Sequence, residues 1–143
     1  NIDSLHQKAG SRVVYELHGS TARNYCMKCH HFYGEDFIAR SEGVPRCPVC
    51  GGIVKPDVVL YEESLDQETV EASVLAIGRA NMLIVGGTSL TVYPAAGLLQ
   101  FYRGSRLVLI NRDATPYDGR ADLVIHDSIG KVLGSVRVEG DPA

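Results

Sequence analysis

Apolar and polar positions along the 143-residue chain fall into three textures. In the first, Val13-Val14-Tyr15 runs into Glu16-Leu17-His18-Gly19. A β-branched and aromatic run that meets a glycine predicts a short strand ending in a turn. The second texture, residues 26–56, holds all four cysteines and three of the six prolines but few aliphatic residues. Such a stretch cannot build a core by itself and calls for a metal. The third, residues 57–143, alternates strand and helix signals. Val58-Val59-Leu60-Tyr61 is a short extended run. Ser64 with Gln67 fits a capping box, with Asp66 as a competing N-cap. Val70, Val74 and Ile77 then mark one face of a helix.

Met82-Leu83-Ile84-Val85 reads as a strand in a sheet buried on both faces, and it stops at Gly86-Gly87-Thr88-Ser89. Pro94 suits the first turn of a helix carrying Ala95, Ala96, Leu98 and Leu99. Leu107-Val108-Leu109-Ile110, ended by Asn111, and Leu123-Val124-Ile125 are further strands, and a helix through Val132 and Leu133 closes the pattern. Strands alternating with helices imply an α/β fold with a parallel sheet and right-handed crossovers. Ligands on such sheets bind at the carboxyl ends of strands, where Gly86 to Ser89, Asn111 and the segment after Ile125 lie.

Composition narrows this picture. With 45% hydrophobic and 22% charged residues, the chain can fill a core and is not disordered. A net charge of -3 argues against a nucleic-acid or anionic-membrane binder. No apolar run approaches the roughly 20 residues of a membrane span. The start at Asn1 shows neither a signal peptide nor an initiator Met, so the chain is expected to begin inside a longer protein or after a cleavage. Four cysteines in such a chain read as a metal site rather than disulfides, in keeping with a cytoplasmic protein.

Cys26 and Cys29 form one Cys-x2-Cys pair, and Cys47 and Cys50 form a second after 17 intervening residues. This is the two-knuckle spacing of a zinc ribbon, in which each tight turn aims two thiolates at one ion. Gly51 and Gly52 follow the last ligand, where a turn needs positive φ and backbone N–H groups approach sulfur. His30 and His31 are expected on the surface, because four thiolates complete a tetrahedron. A closed shell leaves no place for water or substrate, so the zinc is structural.

Gly86-Gly87-Thr88-Ser89 offers backbone N–H groups and hydroxyls to a nucleotide, although the same run can be a plain strand-to-helix turn. Asn111 is a second ribose partner or a helix cap. His18, eight residues before Cys26 and at the cleft expected between sheet and zinc module, is a candidate general base or a hydrogen-bonded structural residue.

Taken together, these residues resemble the sirtuins, the NAD-dependent protein lysine deacylases, bacterial type. The likeness rests on Asn1-Ile2-Asp3, Leu5-His6 with Ala9-Gly10, Glu16-Leu17-His18-Gly19, both cysteine pairs with Cys50-Gly51-Gly52, and Val58-Val59. It continues through Gly87-Thr88-Ser89-Leu90, Pro94-Ala95, Ile110-Asn111, Thr115 and Ala121-Asp122. The resemblance implies a Rossmann-like sheet, incomplete in this chain, with a small inserted zinc-ribbon module. Residues 1–25 would be a part of that domain carrying the catalytic His, 26–56 the zinc module, and 57–143 the remainder of the NAD-binding domain.

The resemblance also implies roles. Asn1, Ile2 and Asp3 would line the pocket for the nicotinamide end of NAD. His18 would take a proton from the nicotinamide ribose hydroxyls after the acyl oxygen attacks C1′ and expels nicotinamide, giving deacylated lysine and O-acyl-ADP-ribose. Gly87, Thr88, Ser89 and Asn111 would contact the adenosine side, and Ser128 or Ile129 would pack near the adenine. Val58, Val59 and Tyr61 would line the acyl-lysine tunnel, with backbone pairing to the substrate peptide.

There are two departures. Many members have Phe-Gly-Glu where this chain has Tyr61-Glu62-Glu63. The family's phosphate loop and flexible cofactor loop precede Asn-Ile-Asp, so the segment before Asn1 would complete the fold. Without it the chain is expected to be inactive and its sheet to show a bare edge. Mono-ADP-ribosyl transfer uses the same NAD cleavage and is the nearest alternative. A nucleic-acid-binding zinc ribbon is another, but residues 26–55 carry four Lys/Arg against three Asp/Glu and lack a basic footprint. A non-catalytic NAD-binding domain is a third, and His18 in its Glu-Leu-His-Gly setting speaks against it.

Overall fold

The computed structural model describes residues 1–137; residues 138–143, the end of the segment read as NAD-binding domain, lie outside the described residues. The chain forms two compact units, Asn1–Val70 and the part from Glu71 onward, and passes from one to the other within a helix.

The first unit contains α1 (Leu5–Lys8), β1 (Gly19–Cys26), β2 (Phe32–Tyr33), α2 (Glu35–Ala39) and β3 (Val54–Val58). Its three strands form an antiparallel sheet in the order β2-β1-β3. The strand expected at Val13–Tyr15 is absent. Val13 is 71% exposed and Tyr15 is 44% exposed, so this apolar run has no partner face to bury against. The strand begins instead at Gly19 and buries Ser20, Asn24 and Cys26.

Buried polar groups must be paired, and these are. The Ser20 hydroxyl bonds the Ser4 hydroxyl at 2.6 Å and accepts the Ala22 N–H. The Asn24 amide donates to the Thr21 and Tyr33 carbonyls at 3.1 and 3.3 Å. β1 faces β3 with Gly19 opposite Val58 and Ser20 opposite Asp57, but the next pair is Asn24 opposite Pro56. Thr21, Ala22 and Arg23 thus bulge from the ladder, next to the Asn24–Pro56 pair, whose proline has no N–H to offer. Cys26, Tyr33, Cys47 and Val54 form the core of this unit, with the Phe37 ring stacked on Tyr33 at 4.2 Å. That core has a single buried aliphatic residue, which is why the unit needs a metal.

Asp66 wins the competition to cap α3 (Gln67–Arg79). Its carboxylate accepts the Thr69 N–H at 2.8 Å and the Thr69 hydroxyl at 2.7 Å. In the second unit, β4 (Leu83–Gly86), β5 (Leu107–Ile110) and β6 (Leu123–Ile125) form a parallel sheet in the order β4-β5-β6, as the alternation of elements predicts. Leu90, Leu99, Leu107 and Leu109 are its buried core, with Leu83, Val85 and Val124 packed against them.

The expectation of burial on both faces fails on β4. Leu83 and Val85 face this core while Ile84 is 49% exposed. A continuous apolar run does not itself say which face is covered. Pro94 precedes a 3-10 helix, Ala95–Phe101, whose buried Ala96 and Leu99 sit three apart, matching the 3.0-residue period. α4 (Ile129–Gly134) carries Val132 and Leu133 as expected. No helix among the described residues is long and apolar enough to cross a membrane.

Candidate functional site

Cys26, Cys29, Cys47 and Cys50 come together. One ligand atom from each lies within 4.8 Å of all the others, and no disulfide joins them. Cys26 Sγ is 3.4 Å from Cys50 Sγ, and Cys29 Sγ is 3.6 Å from Cys47 Sγ. Four sulfurs on a zinc tetrahedron with bonds of about 2.3 Å stand about 3.8 Å apart, so this spacing fits one ion.

Each pair sits in a tight turn followed by a left-handed residue, His30 (φ 57) after Cys29 and Gly51 (φ 72) after Cys50. The turns are closed by His30 N–H to Cys26 O and Gly51 N–H to Cys47 O. The Lys28 N–H points at Cys26 Sγ. Gly52 is required for space, because a Cβ there would stand 2.8 Å from Cys26 Sγ and 2.9 Å from Lys28 Cβ. His30 and His31 are both exposed, as expected.

The electrostatics ask for a cation. Burial pushes the Cys47 thiol up, but the Tyr33 hydroxyl at 3.0 Å and the N–H groups of Cys50 and Val49 outweigh it and bring it to about 6. The N–H of His31 draws Cys29 down, yet the neighbouring Cys50 sulfur, burial and the other two sulfurs push it up to about 12. Four crowded sulfurs do not all ionise unless positive charge sits among them. Tyr33, held up by burial and by Cys47, is a member of this cluster that the sequence reading missed.

His18 is half-buried in the turn leading into β1. Its carbonyl accepts the Val59 N–H at 3.0 Å, which joins the histidine turn to Val58 and Val59. Gly19 makes this approach possible. It has φ 74, and a Cβ there would stand 1.9 Å from the Asp57 carbonyl oxygen. Val58 and Val59 are half-buried and, with Tyr25, Met27, Lys55 and Glu63, line an open cavity of about 260 Å³. Tyr61 is fully exposed and is not among its walls. Asn1, Ile2 and Asp3 are tied to the same strand, since the Ile2 carbonyl accepts the Thr21 N–H at 2.9 Å and hydroxyl at 3.0 Å. Asp3 accepts the Asn1 amide and the Leu5 N–H, and the latter bond leads in holding its carboxyl below the usual range.

In the second unit the carboxyl ends of the strands gather the other predicted residues. Gly87 (φ 64) donates its N–H to the Ile110 carbonyl, and the Asn111 N–H bonds the Ile125 carbonyl. Ile129 fills the space a side chain at Gly86 would need and lies 3.8 Å from where a Cβ of Gly87 would be. Thr88 accepts the Leu90 N–H, while Ser89 is exposed and bonds Thr91. The Asn111 amide donates to the Asp113 carbonyl. Ser128 is half-buried just ahead of α4. His126, which sequence reasoning did not single out, bridges the Asn111 carbonyl and the Asp118 carboxylate at 3.2 Å each. Its only signal was its place after an apolar strand.

Among the described residues, four that are not glycine take left-handed φ: Ser4, His30, Glu62 and Leu90. Each follows one of the segments singled out above, where local strain is commonly held. Glu62 (φ 70) occupies the place of the glycine in Phe-Gly-Glu.

A model of the Sir2 family matches residues 1–94. The chain belongs to the Sir2 family. Among its Sir2-family relatives, the NAD-dependent protein deacetylase of Clostridium perfringens is 64% identical over 137 residues, covering 95% of this chain and 56% of that protein. The protein of the same name from Staphylococcus aureus strain Mu50 is 48% identical over 140 residues, 97% of this chain and 57% of that one. The chain therefore spans a little over half the length of the curated relatives it matches. Among solved structures, a Sir2–p53 peptide–NAD+ complex superposes with a TM-score of 0.86 at 37% identity, covering 94% of this chain and 58% of that one. A Sir2 bound to acetylated peptide gives 0.84 at 35% identity, with 94% and 58% covered. The parallel α/β sheet and the four-cysteine cluster are thus those of a Sir2-family chain.

Proposed function

We propose that this Sir2-family chain carries the general base, the zinc module and the adenosine-side contacts of an NAD-dependent protein lysine deacylase. One observation carries the reading. The start of β1 ties Asn1-Ile2-Asp3 through Thr21 and Val58-Val59 through His18, so three predicted parts of the reaction site converge on one strand end. Relatives named NAD-dependent protein deacetylase and solved relatives holding NAD+ or acetylated peptide support the substrates.

NAD, when bound, would supply a ribose carbon as the electrophile for the acyl oxygen, with nicotinamide as the leaving group. His18 would accept a proton from a ribose hydroxyl, as a general base. Asn1, Ile2 and Asp3 hold the nicotinamide end. Gly87, Thr88, Ser89, Asn111 and Ile129 would hold the adenosine side, where exposed Gly87 with its left-handed backbone stands at a strand end. Val58 and Val59 receive the acyl-lysine. Tyr61 contacts the flanking peptide from its exposed loop.

Cys26, Cys29, Cys47 and Cys50 hold zinc as a closed structural site, so the zinc supplies fold and no nucleophile. Free thiols kept for a metal suit the reducing cytoplasm. The rest of the length of its relatives, including the pyrophosphate loop, would come from a further segment of the same protein. No observation favours ADP-ribosyl transfer or nucleic-acid binding.

The test is His18→Ala in the full protein. NAD-dependent loss of acetyl from a lysine peptide should fall at least a hundredfold, with one zinc still bound per chain. Parent-like turnover would remove His18 from the mechanism.

A further inference from the structure

Arg23 lies in the bulge of β1, and the bulge aims it. Its guanidinium reaches the Glu16 carboxylate at 2.7 Å through Nη1 and the Asp57 carboxylate at 2.8 Å through Nε. Glu16 belongs to the Glu-Leu-His-Gly turn two residues before His18, and Asp57 directly precedes Val58 on β3. Gln7 on α1 donates to the other Glu16 oxygen at 2.8 Å. The side chain of Glu16 is only 11% exposed, so its lost hydration is replaced by these two donors. The bond to Glu16 leads in holding the Arg23 guanidinium in its charged form, with Asp57 next.

An in-register β1 would place alternate side chains on opposite faces, with no latitude to choose a target. The three unpaired residues Thr21 to Arg23 break that alternation, and buried Asn24 and Ser20 pin the break at both ends. A bulge beside a reactive residue commonly re-aims a side chain. Here the re-aimed side chain spans the two segments whose separation sets the distance from His18 to the acyl-lysine strand.

We propose that Arg23 is a positioning residue for the deacylation step, acting through Glu16 and Asp57 to hold the His18 turn at a fixed distance from Val58 and Val59. This rests on His18 being the base. The Arg23–Asp57 pair is open to water and adds little to stability, whereas Glu16 is largely buried and keeps its Gln7 donor when Arg23 is replaced. The effect of the two ion pairs is on geometry, where small displacements of a catalytic group cost 10- to 100-fold in rate.

The experiment measures kcat, both KM values, zinc content and melting temperature in the full protein for Arg23→Met, Glu16→Gln, their double variant, Arg23→Lys and His18→Ala. Arg23→Met should lower kcat by about 10-fold or more, leave the KM for NAD within about threefold, and keep one zinc per chain. Arg23→Lys, which can restore one of the two bonds, should recover part of the loss. Because Arg23 and Glu16 act as one unit, the double variant should lose no more than Arg23→Met alone. If Arg23→Met does not retain zinc, Glu16→Gln decides, with lowered kcat at parental stability expected. Parent-like kcat in the folded variant, or losses that multiply in the double, overturn the inference. Turnover retained in His18→Ala overturns the base assignment and this inference together. Turnover lost in His18→Ala but kept in Arg23→Met overturns this inference alone.

Discussion

Gly19→Ala probes the joint on which the proposed reaction site depends. The glycine has φ 74, where an alanine costs about 1–2 kcal/mol. Its new Cβ would also stand 1.9 Å from the Asp57 carbonyl oxygen and 2.9 Å from the carbonyl carbon. Those atoms are backbone and cannot swing aside, so β1 and β3 must part at Gly19 and Val58. Parting them breaks the Val59 N–H to His18 carbonyl bond, which contributes about 1 kcal/mol. The sum is about 2–3 kcal/mol, equivalent to roughly 4–12 °C in melting temperature for a chain of this size. Gly10→Ala is the control. Gly10 also has positive φ, at 88, but nothing lies within 4 Å of a Cβ there. It should lose only the dihedral part, roughly 2–8 °C. Thermal unfolding of both variants, with turnover measured on the folded fraction, separates strain from overlap. Equal melting temperatures for the two, with parental turnover in Gly19→Ala, would refute the close packing of the histidine turn on β3.

Two further outcomes follow from the cysteine cluster and from the loop after β3. Chelating the zinc should unfold the module and abolish turnover. Cadmium, another soft ion that takes four thiolates, should restore at least half the activity, because the ion has no catalytic part; a refolded cadmium form with no turnover would contradict this. Glu62→Gly should raise stability by about 0.5–1 kcal/mol, since the glycine adopts φ 70 without a Cβ penalty. A lowered melting temperature would show that Glu62 holds that loop through its side chain.

Much of the second unit was legible in the sequence. β4, β5 and β6 are short apolar runs, each ended by Gly, Asn or His, and their alternation with helices yields a parallel sheet. The cysteine pairs were equally plain, because two residues between ligands is a geometric demand. β1 was not legible. It buries Ser20, Asn24 and Cys26, so no apolar alternation marks it, and its stability comes from paired polar groups and from thiols. Val13-Val14-Tyr15 showed the opposite failure, an apolar run whose Val13 and Tyr15 lie exposed. The bulge that aims Arg23 depends on how β1 meets Pro56 and on the Asn24 amide, which are long-range facts no local pattern carries. Asp66 prevailed over Ser64 as a cap because its carboxylate takes both the N–H and the hydroxyl of Thr69.

The claim that this chain serves NAD-dependent lysine deacylation is tested most directly by stoichiometry. The full protein is incubated with an acetyl-lysine peptide and NAD, and nicotinamide, deacetylated peptide and free acetate are quantified together. The account predicts one nicotinamide for each acetyl group lost, the acetyl recovered on ADP-ribose, and no deacetylation without NAD. Free acetate formed without NAD, or nicotinamide released with the ADP-ribose attached to protein and the acetyl-lysine intact, would contradict it.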